Sequence, residues 1–233
     1  MKQLKLPRWM PVLLCALFCV SCSTISLDIA LKKDGSGTVR VEYRVQKEFA
    51  AFAAARDTFA DDESLAALPL SRSDFENAAR AVPGLTLKSY KRTEDEKDYI
   101  YTAAIHFKTI TALAAYLSPA GGGQYAVQFE ERGGTQELRF NYWQTFAARA
   151  PGAQSTAELV RLLFAGCTFN LNMRLPAKAS VLYVDTHGAP VPDPPFTHSV
   201  ARGKTYSMSA PMADLFLAEA PAALVVRWQG SGK

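Results

Sequence analysis

Apolar and polar residues alternate along several short stretches of this chain, a pattern typical of strands that bury one face and expose the other. Apolar residues occupy every second position from 25 to 31 and again from 39 to 45. Residues 34–37 between them, Asp-Gly-Ser-Gly, contain the glycines that a tight turn favours, so this segment predicts a β-hairpin. Similar alternation predicts two more hairpins, over 85–107 and 125–142. Later strands are predicted around residues 169–173, 181–184, 206–208 and 222–228.

Four segments between these strands predict helices. Residues 47–59 are rich in alanine, and residues 109–117 carry three large apolar side chains on one side. Ser73 with Glu76, and Ser155 with Glu158, have the spacing of a capping box, in which side chains satisfy free backbone amides at a helix start. Because helices lie between hairpins, the pattern predicts an α+β fold rather than alternating βαβ units. We expect antiparallel β-hairpins in one or two curved sheets, with about four helices packed on one face.

The first 21 residues follow a different pattern. Lys2, Lys5 and Arg8 precede a short apolar run over residues 10–20. Such a run is about half of the ~20 residues that cross a bilayer, so the order predicts a secretory signal peptide over 1–21 rather than a spanning helix. The mature part, residues 22–233, is then expected to form a single α+β envelope domain or two tightly packed halves.

The end of this segment, Val-Ser-Cys at residues 20–22, resembles the bacterial lipoprotein signal. The resemblance implies that Cys22 becomes the first mature residue and carries diacylglyceryl and acyl groups, such as palmitate, that anchor the protein in a membrane. Ser23, rather than aspartate, follows the cysteine, which by the common sorting rule suggests the outer membrane. Another periplasm-facing leaflet stays open as the alternative location. The alternatives are an ordinary signal peptide cut nearby, and an uncleaved anchor helix, which Pro7 and Pro11 disfavour.

The net charge and the cysteine content both change once the signal is removed from consideration. The chain has 26 Lys and Arg against 22 Asp and Glu, and the signal holds three of the basic residues and none of the acidic ones. The mature part is therefore close to neutral, which gives no support for nucleic-acid binding. Cys167 is the one cysteine beyond Cys22, so no intrachain disulfide framework is expected and a hydrophobic core must stabilise the fold.

The residue types that carry catalysis or bind metals occur without a recognisable spacing. His106, His187 and His198 are the three histidines, and none has a histidine four residues away or a cysteine nearby. We therefore expect no metal and no cofactor. Cys167 is interpreted as a buried core residue and Ser36 as part of a turn, because neither lies in a known nucleophile motif. The sequence favours a protein that is not an enzyme.

Aromatic residues around the third hairpin and the following strand are the remaining candidate site. Phe129, Phe140, Tyr142 and Phe169 could line an apolar ligand pocket between sheet and helices, or they could fill a close-packed core. These two interpretations stay open at the level of sequence.

The order of strands resembles the LppM-type bacterial lipoprotein domain. The resemblance rests on a strand that begins directly after the cysteine, the turn at 34–37, and the final strand Leu-Val-Val-Arg-Trp at 224–228. It implies binding of a lipid or another apolar ligand at the membrane surface. The alternative hypothesis is a structural lipoprotein that docks to an envelope protein through a sheet edge or through the proline-rich segment 190–195.

Overall fold

The structure is a computed structural model that describes residues 24–47, 71–118, 127–141, 161, 164–185, 187–191, 196–201, 203–217 and 222–230. These residues form eleven strands and three helices, numbered in chain order. The strands are β1 Thr24–Leu31, β2 Gly37–Gln46, β3 Leu85–Glu94, β4 Asp98–Phe107, β5 Val127–Arg132, β6 Thr135–Phe140, β7 Thr168–Arg174, β8 Ala179–Asp185, β9 Thr197–Ala201, β10 Thr205–Pro211 and β11 Ala222–Gln229. The helices are α1 Arg72–Ala81, α2 Ile110–Leu117 and α3 Met212–Phe216.

The strands form two sheets. A seven-stranded sheet has the order β3-β4-β2-β1-β7-β10-β9, and a four-stranded sheet has the order β5-β6-β11-β8. The three predicted hairpins are present as β1–β2, β3–β4 and β5–β6. The expectation of sheets built only from antiparallel hairpins is wrong at one place, because β1 pairs in parallel with β7. A parallel pair needs a long connection, and more than 130 residues separate these two strands.

The β1–β2 hairpin shows how the local sequence sets the register. Asp34 closes the turn, since its Oδ1 accepts hydrogen bonds from the Ser36 amide at 3.0 Å and the Ser36 hydroxyl at 2.8 Å. Gly35 has a φ of 80°, the left-handed conformation that glycine adopts at little cost. Gly37 then begins β2 opposite Leu31, so that Leu27 pairs with Val41 across the strands.

One continuous hydrophobic cluster lies between the two sheets. The seven-stranded sheet contributes its inward-facing apolar residues, including Val39, Ile105 and Leu171, and the four-stranded sheet contributes Leu138 and Leu224. All five side chains are at most 1% exposed. At roughly 25 cal/mol for each Å² of apolar surface removed from water, this cluster is the main stabilising term of the fold.

Helices α1 and α2 pack on the same inward side of the seven-stranded sheet as this cluster. Phe75 of α1 is fully buried, with its ring centroid 6.3 Å from that of Tyr43 and 5.9 Å from that of Tyr90. Ile110 and Leu113 of α2 are also buried in the cluster. The prediction that helices cover one face is thus confirmed for the part of the chain that is described.

The helix count and one helix start differ from the predictions. The described residues hold three helices rather than about four, and most of residues 47–59 and the start predicted at Ser155 lie outside them. The capping box of α1 is formed by Ser71 and Asp74, not by Ser73 and Glu76. Asp74 Oδ2 accepts from the Ser71 amide at 2.8 Å, and Ser71 Oγ accepts from the Asp74 amide at 3.1 Å. Both requirements of the box are met two residues earlier than predicted, so the helix begins there.

A substitution at Gly37 tests the packing of β2 against β1 and β4, because there is no room for a side chain at this position. A Cβ atom added to Gly37 would lie 2.1 Å from the Ala30 carbonyl oxygen and 2.4 Å from the Phe107 ring. Since the first contact is with backbone, we expect Gly37→Ala to lower the free energy of unfolding by about 2 kcal/mol or more, measured by urea denaturation. Thr38→Ala is the matched control on the next residue and adds no atoms. If Gly37→Ala lowers the free energy of unfolding no more than Thr38→Ala does, the predicted packing is contradicted.

Buried tyrosines predict a fall in stability at alkaline pH. Burial raises the pKa of Tyr43 to about 12 and raises the pKa of Tyr116 and Tyr206 as well. Above pH 10 the unfolded chain loses these phenolic protons while the folded chain keeps them, so the free energy of unfolding falls as pH rises. We expect the free energy of unfolding to fall by about 1.4 kcal/mol per pH unit for each such tyrosine between about pH 10 and 12. Tyr43→Phe should reduce this slope, and an unchanged slope would contradict the assignment.

Candidate functional site: a polar groove on the seven-stranded sheet

The outward face of the seven-stranded sheet carries two rows of paired residues at its β1-β7-β10-β9 end. Strand register places Ser26, Asn170, Ser209 and Thr197 side by side in the first row. The same register places Asp28, Asn172, Ser207 and Ser199 side by side in the second row. Residues between these positions, such as Leu171 and Met208, point into the core because successive side chains on a strand alternate between its faces.

These rows form an open groove of about 380 Å³. Its lining consists of Ser26, Asn170, Asn172, Thr197, His198, Ser199, Ser207, Met208 and Ser209. The groove has a simple cause in side-chain size. The outward positions of β10 are the short serines 207 and 209, whereas the longer Asn170 and Asn172 stand beside them on β7. The floor is therefore lower along β10 than along β7.

Hydrogen bonds orient the two asparagines of the groove. Asn172 Nδ2 donates to Asp28 Oδ1 at 2.8 Å, and Asn170 Nδ2 donates to Ser26 Oγ at 3.4 Å. Both donors reach toward β1, which fixes the orientation of the two carboxamides. The Thr197 hydroxyl donates to the Ser209 carbonyl at 3.2 Å, which fixes the opposite wall.

The charge of this face changes from one end of the sheet to the other. On β2, Arg40 and Arg44 form ion pairs with Glu42 at 3.6 and 3.9 Å, and Arg44 also contacts Asp95 at 3.4 Å. The groove lining, by contrast, contains no Lys, Arg, Asp or Glu. A solvent-exposed sheet face is usually rich in charged residues, so this hydrogen-bonding groove differs from the charged part of the same face.

The residues predicted to line an apolar pocket occupy other places. Phe140 is fully buried and Phe169 is 9% exposed, and both belong to the hydrophobic cluster between the sheets. Phe129 is partly buried and packs against that cluster. Tyr142 lies outside the described residues, as does Cys22. The structure thus brings Phe129, Phe140 and Phe169 to one core, and whether that core admits a ligand stays a prediction.

The other candidate residues are dispersed. His106 lies on β4, His187 follows β8, and His198 lies on β9, where its ring centroid is 5.8 Å from that of Phe196. Cys167 is 2% exposed, as expected for a core residue. Two hydrogen bonds lower the pKa of Asp34 from its ordinary value. The one from the Ser36 hydroxyl has the larger effect, and the one from the Ser36 amide has the smaller. Within the described ranges, no three His, Cys, Asp or Glu side chains come together as a metal site.

The groove was not predicted from the sequence, because only apolar residues and residues typical of catalysis or metal binding were considered as candidates. The signal was nevertheless present, since the outward positions of the predicted strands around 169–173 and 206–208 hold only asparagine and serine between their ends. Strand β9 was not predicted at all, and it supplies one wall. No described helix has the length and hydropathy of a membrane span.

Comparisons with known proteins give a limited result. No family model and no curated protein sequence matches this chain. Among the solved structures, this chain is similar to the NMR structure of the folded domain of LppM from Mycobacterium tuberculosis, with a TM-score of 0.44 and 9% sequence identity. The alignment covers 90% of this chain and 91% of that one. This neighbour is of the type that the strand order resembles.

Substitution of Phe140 by alanine distinguishes a close-packed core from a ligand pocket lined by aromatic residues. If Phe140 fills a close-packed core, Phe140→Ala removes its contacts and leaves a cavity, so the free energy of unfolding should fall by about 3–5 kcal/mol. Phe129→Ala, at a partly buried position against the same cluster, should cost less. Urea denaturation of both variants gives the comparison. A loss below about 1 kcal/mol for Phe140→Ala would instead support a pocket that these rings line.

Proposed function

We propose that this chain is a lipid-anchored, non-catalytic protein of the bacterial cell envelope whose folded domain binds a ligand close to the membrane surface. The proposal combines the lipoprotein-like signal that ends at Cys22 with the groove on the seven-stranded sheet. The acyl groups on Cys22 are the proposed membrane attachment. The envelope, with the outer membrane as the expected membrane, is the proposed location.

One observation carries this proposal: strand β1 begins at Thr24, two residues after Cys22, and lies in the interior of the seven-stranded sheet. At roughly 3.5 Å per residue, the chain between Cys22 and Thr24 spans at most about 7 Å. A lipid on Cys22 would therefore attach to a strand that is hydrogen-bonded on both sides, rather than to a long tether. The domain would be held against the headgroups in a restricted orientation.

The groove supports a binding role near the membrane. Ser26, in the first row of the groove, is four residues after Cys22, so the groove begins within about 14 Å of the proposed anchor. Its lining offers hydroxyl and amide groups and no charged acid–base pair, which favours recognition over catalysis. A lipid or other apolar ligand in the aromatic core, and docking to an envelope protein through a sheet edge or residues 190–195, stay predictions.

Lipidation of Cys22 is tested by metabolic labelling with palmitate in a bacterial host. We expect label in the full-length protein, a membrane-bound fraction, and loss of both in Cys22→Ser, because the serine hydroxyl does not replace the thiol in thioether formation. Two or more acyl chains anchor a protein stably, whereas one chain binds it weakly. Nearly all of the unchanged protein should therefore be in the membrane fraction, and only a minor share of Cys22→Ser.

Cys15→Ser is the matched control, since Cys15 lies in the apolar run of the same signal, seven residues before Cys22. We expect this variant to be labelled and anchored like the unchanged protein. Equal labelling of Cys22→Ser, or a secreted and unlabelled product from the unchanged sequence, would overturn the anchored-protein proposal and favour the ordinary signal peptide.

A further inference from the structure

The chemistry of the groove restricts the class of its ligand. The lining contains five hydroxyl side chains, two carboxamides, His198 and Met208, and no lysine or arginine; Asp28 borders it as a single carboxylate that Asn172 contacts. Phosphate and carboxylate groups are usually bound by arginine or lysine, and metal cations by several carboxylates, so these ligands lack their usual partners in this lining. A hydroxyl group both donates and accepts, and a carboxamide does the same, so this lining suits an uncharged ligand with many hydroxyls.

The spacing of these groups is regular because the sheet sets it. Side chains two residues apart on one strand are about 7 Å apart, and neighbours on adjacent strands are about 5 Å apart. Asn170 and Asn172 therefore form one line of the groove, with Ser209 and Ser207 opposite them in a second line. Such a grid presents hydrogen-bonding groups at intervals comparable to those between hydroxyls on successive sugar rings.

The asparagines are held ready to accept hydrogen bonds. Their Nδ2 atoms are engaged by Asp28 and Ser26, as described above, and no described residue donates to either Oδ1 atom. Side chains that are already ordered lose less conformational entropy when a ligand binds. The volume of about 380 Å³ and the open form fit a short segment of an extended chain rather than a fully enclosed small molecule.

We propose that this groove binds a neutral saccharide, either a free glycan segment or the headgroup of an uncharged glycolipid. The proposal deepens the binding role proposed above and rests on it, by naming the class of ligand and the residues that hold it. Asn170 and Asn172 accept hydrogen bonds from sugar hydroxyls, and Ser207 and Ser209 donate to or accept from sugar oxygens along the floor.

The test uses the full-length protein in a detergent without a sugar headgroup. One arm measures binding of soluble maltohexaose, cellohexaose and chitohexaose by isothermal titration calorimetry and saturation-transfer NMR. The other arm measures binding to phosphatidylcholine vesicles with and without digalactosyl diacylglycerol. We expect binding in one of the two arms, and the arm that binds identifies the source of the saccharide.

The double variant Asn170→Ala with Ser209→Ala removes one pair of facing groups from the groove. We expect its affinity to fall at least about tenfold. Thr102→Ala is the matched control, because Thr102 lies on the same face two strands from Ser26, opposite Glu42, and outside the groove lining. Its affinity should be unchanged. Thermal unfolding of each variant checks that the fold is intact.

The outcomes separate the two proposals. Absence of binding in both arms, or equal affinity of the double variant and the unchanged protein, overturns the saccharide site, whatever the lipid labelling shows. The same measurement on Cys22→Ser uses a protein without the proposed anchor. Saccharide binding by that variant supports the groove even where palmitate labelling fails, and labelling without saccharide binding leaves the anchored domain with a different ligand.

Discussion

The pairing of β1 with two partners is the interaction on which the rest of the structure depends. β1 pairs antiparallel with β2 and parallel with β7, and this second pairing joins the four strands before residue 108 to β7, β10 and β9 in one sheet. The apolar side of β1, with Leu27 and Ile29, lies in the core, while Ser26 and Asp28 face outward. A one-residue slip would exchange these faces, so burial of the apolar side also sets the register of the polar groove.

The two faces of the same sheet have different roles for this reason. The inward face is largely apolar and packs against the four-stranded sheet and two helices, which supplies the stability. The outward face has no such requirement, so its residues can vary with function. Charged side chains occupy it on β2, and uncharged amides and hydroxyls occupy it on β7 and β10. The proposed anchor, Cys22, lies two residues before β1 in the sequence, and β1 is the strand between these halves.

Local sequence patterns predicted which segments form strands and helices better than they predicted where each element ends or which strands pair. The hairpin turn at Asp34 and Gly35 was predicted because its requirements are local: a side chain that bonds two residues ahead and a glycine with positive φ. The start of α1 was placed two residues late because two serines, each with an acid three residues later, compete for the cap, and Ser71 with Asp74 forms it. The short β9 and α3 escaped prediction, since five residues carry too little periodicity to distinguish them from a loop.

The sequence by itself determined that this protein has alternating strands with one buried face, three hairpins, a nearly neutral composition from residue 22 onward and a start that resembles a lipoprotein signal, because each depends on neighbouring residues. Only the tertiary structure decided that β7 lies beside β1, that β10 and β9 follow it, and that Phe140 and Phe169 belong to one core. Ser26 and Asn170 are 144 residues apart and meet through this strand order. A site built from such distant residues leaves no local motif, since its geometry comes from backbone pairing and from the burial of the opposite face.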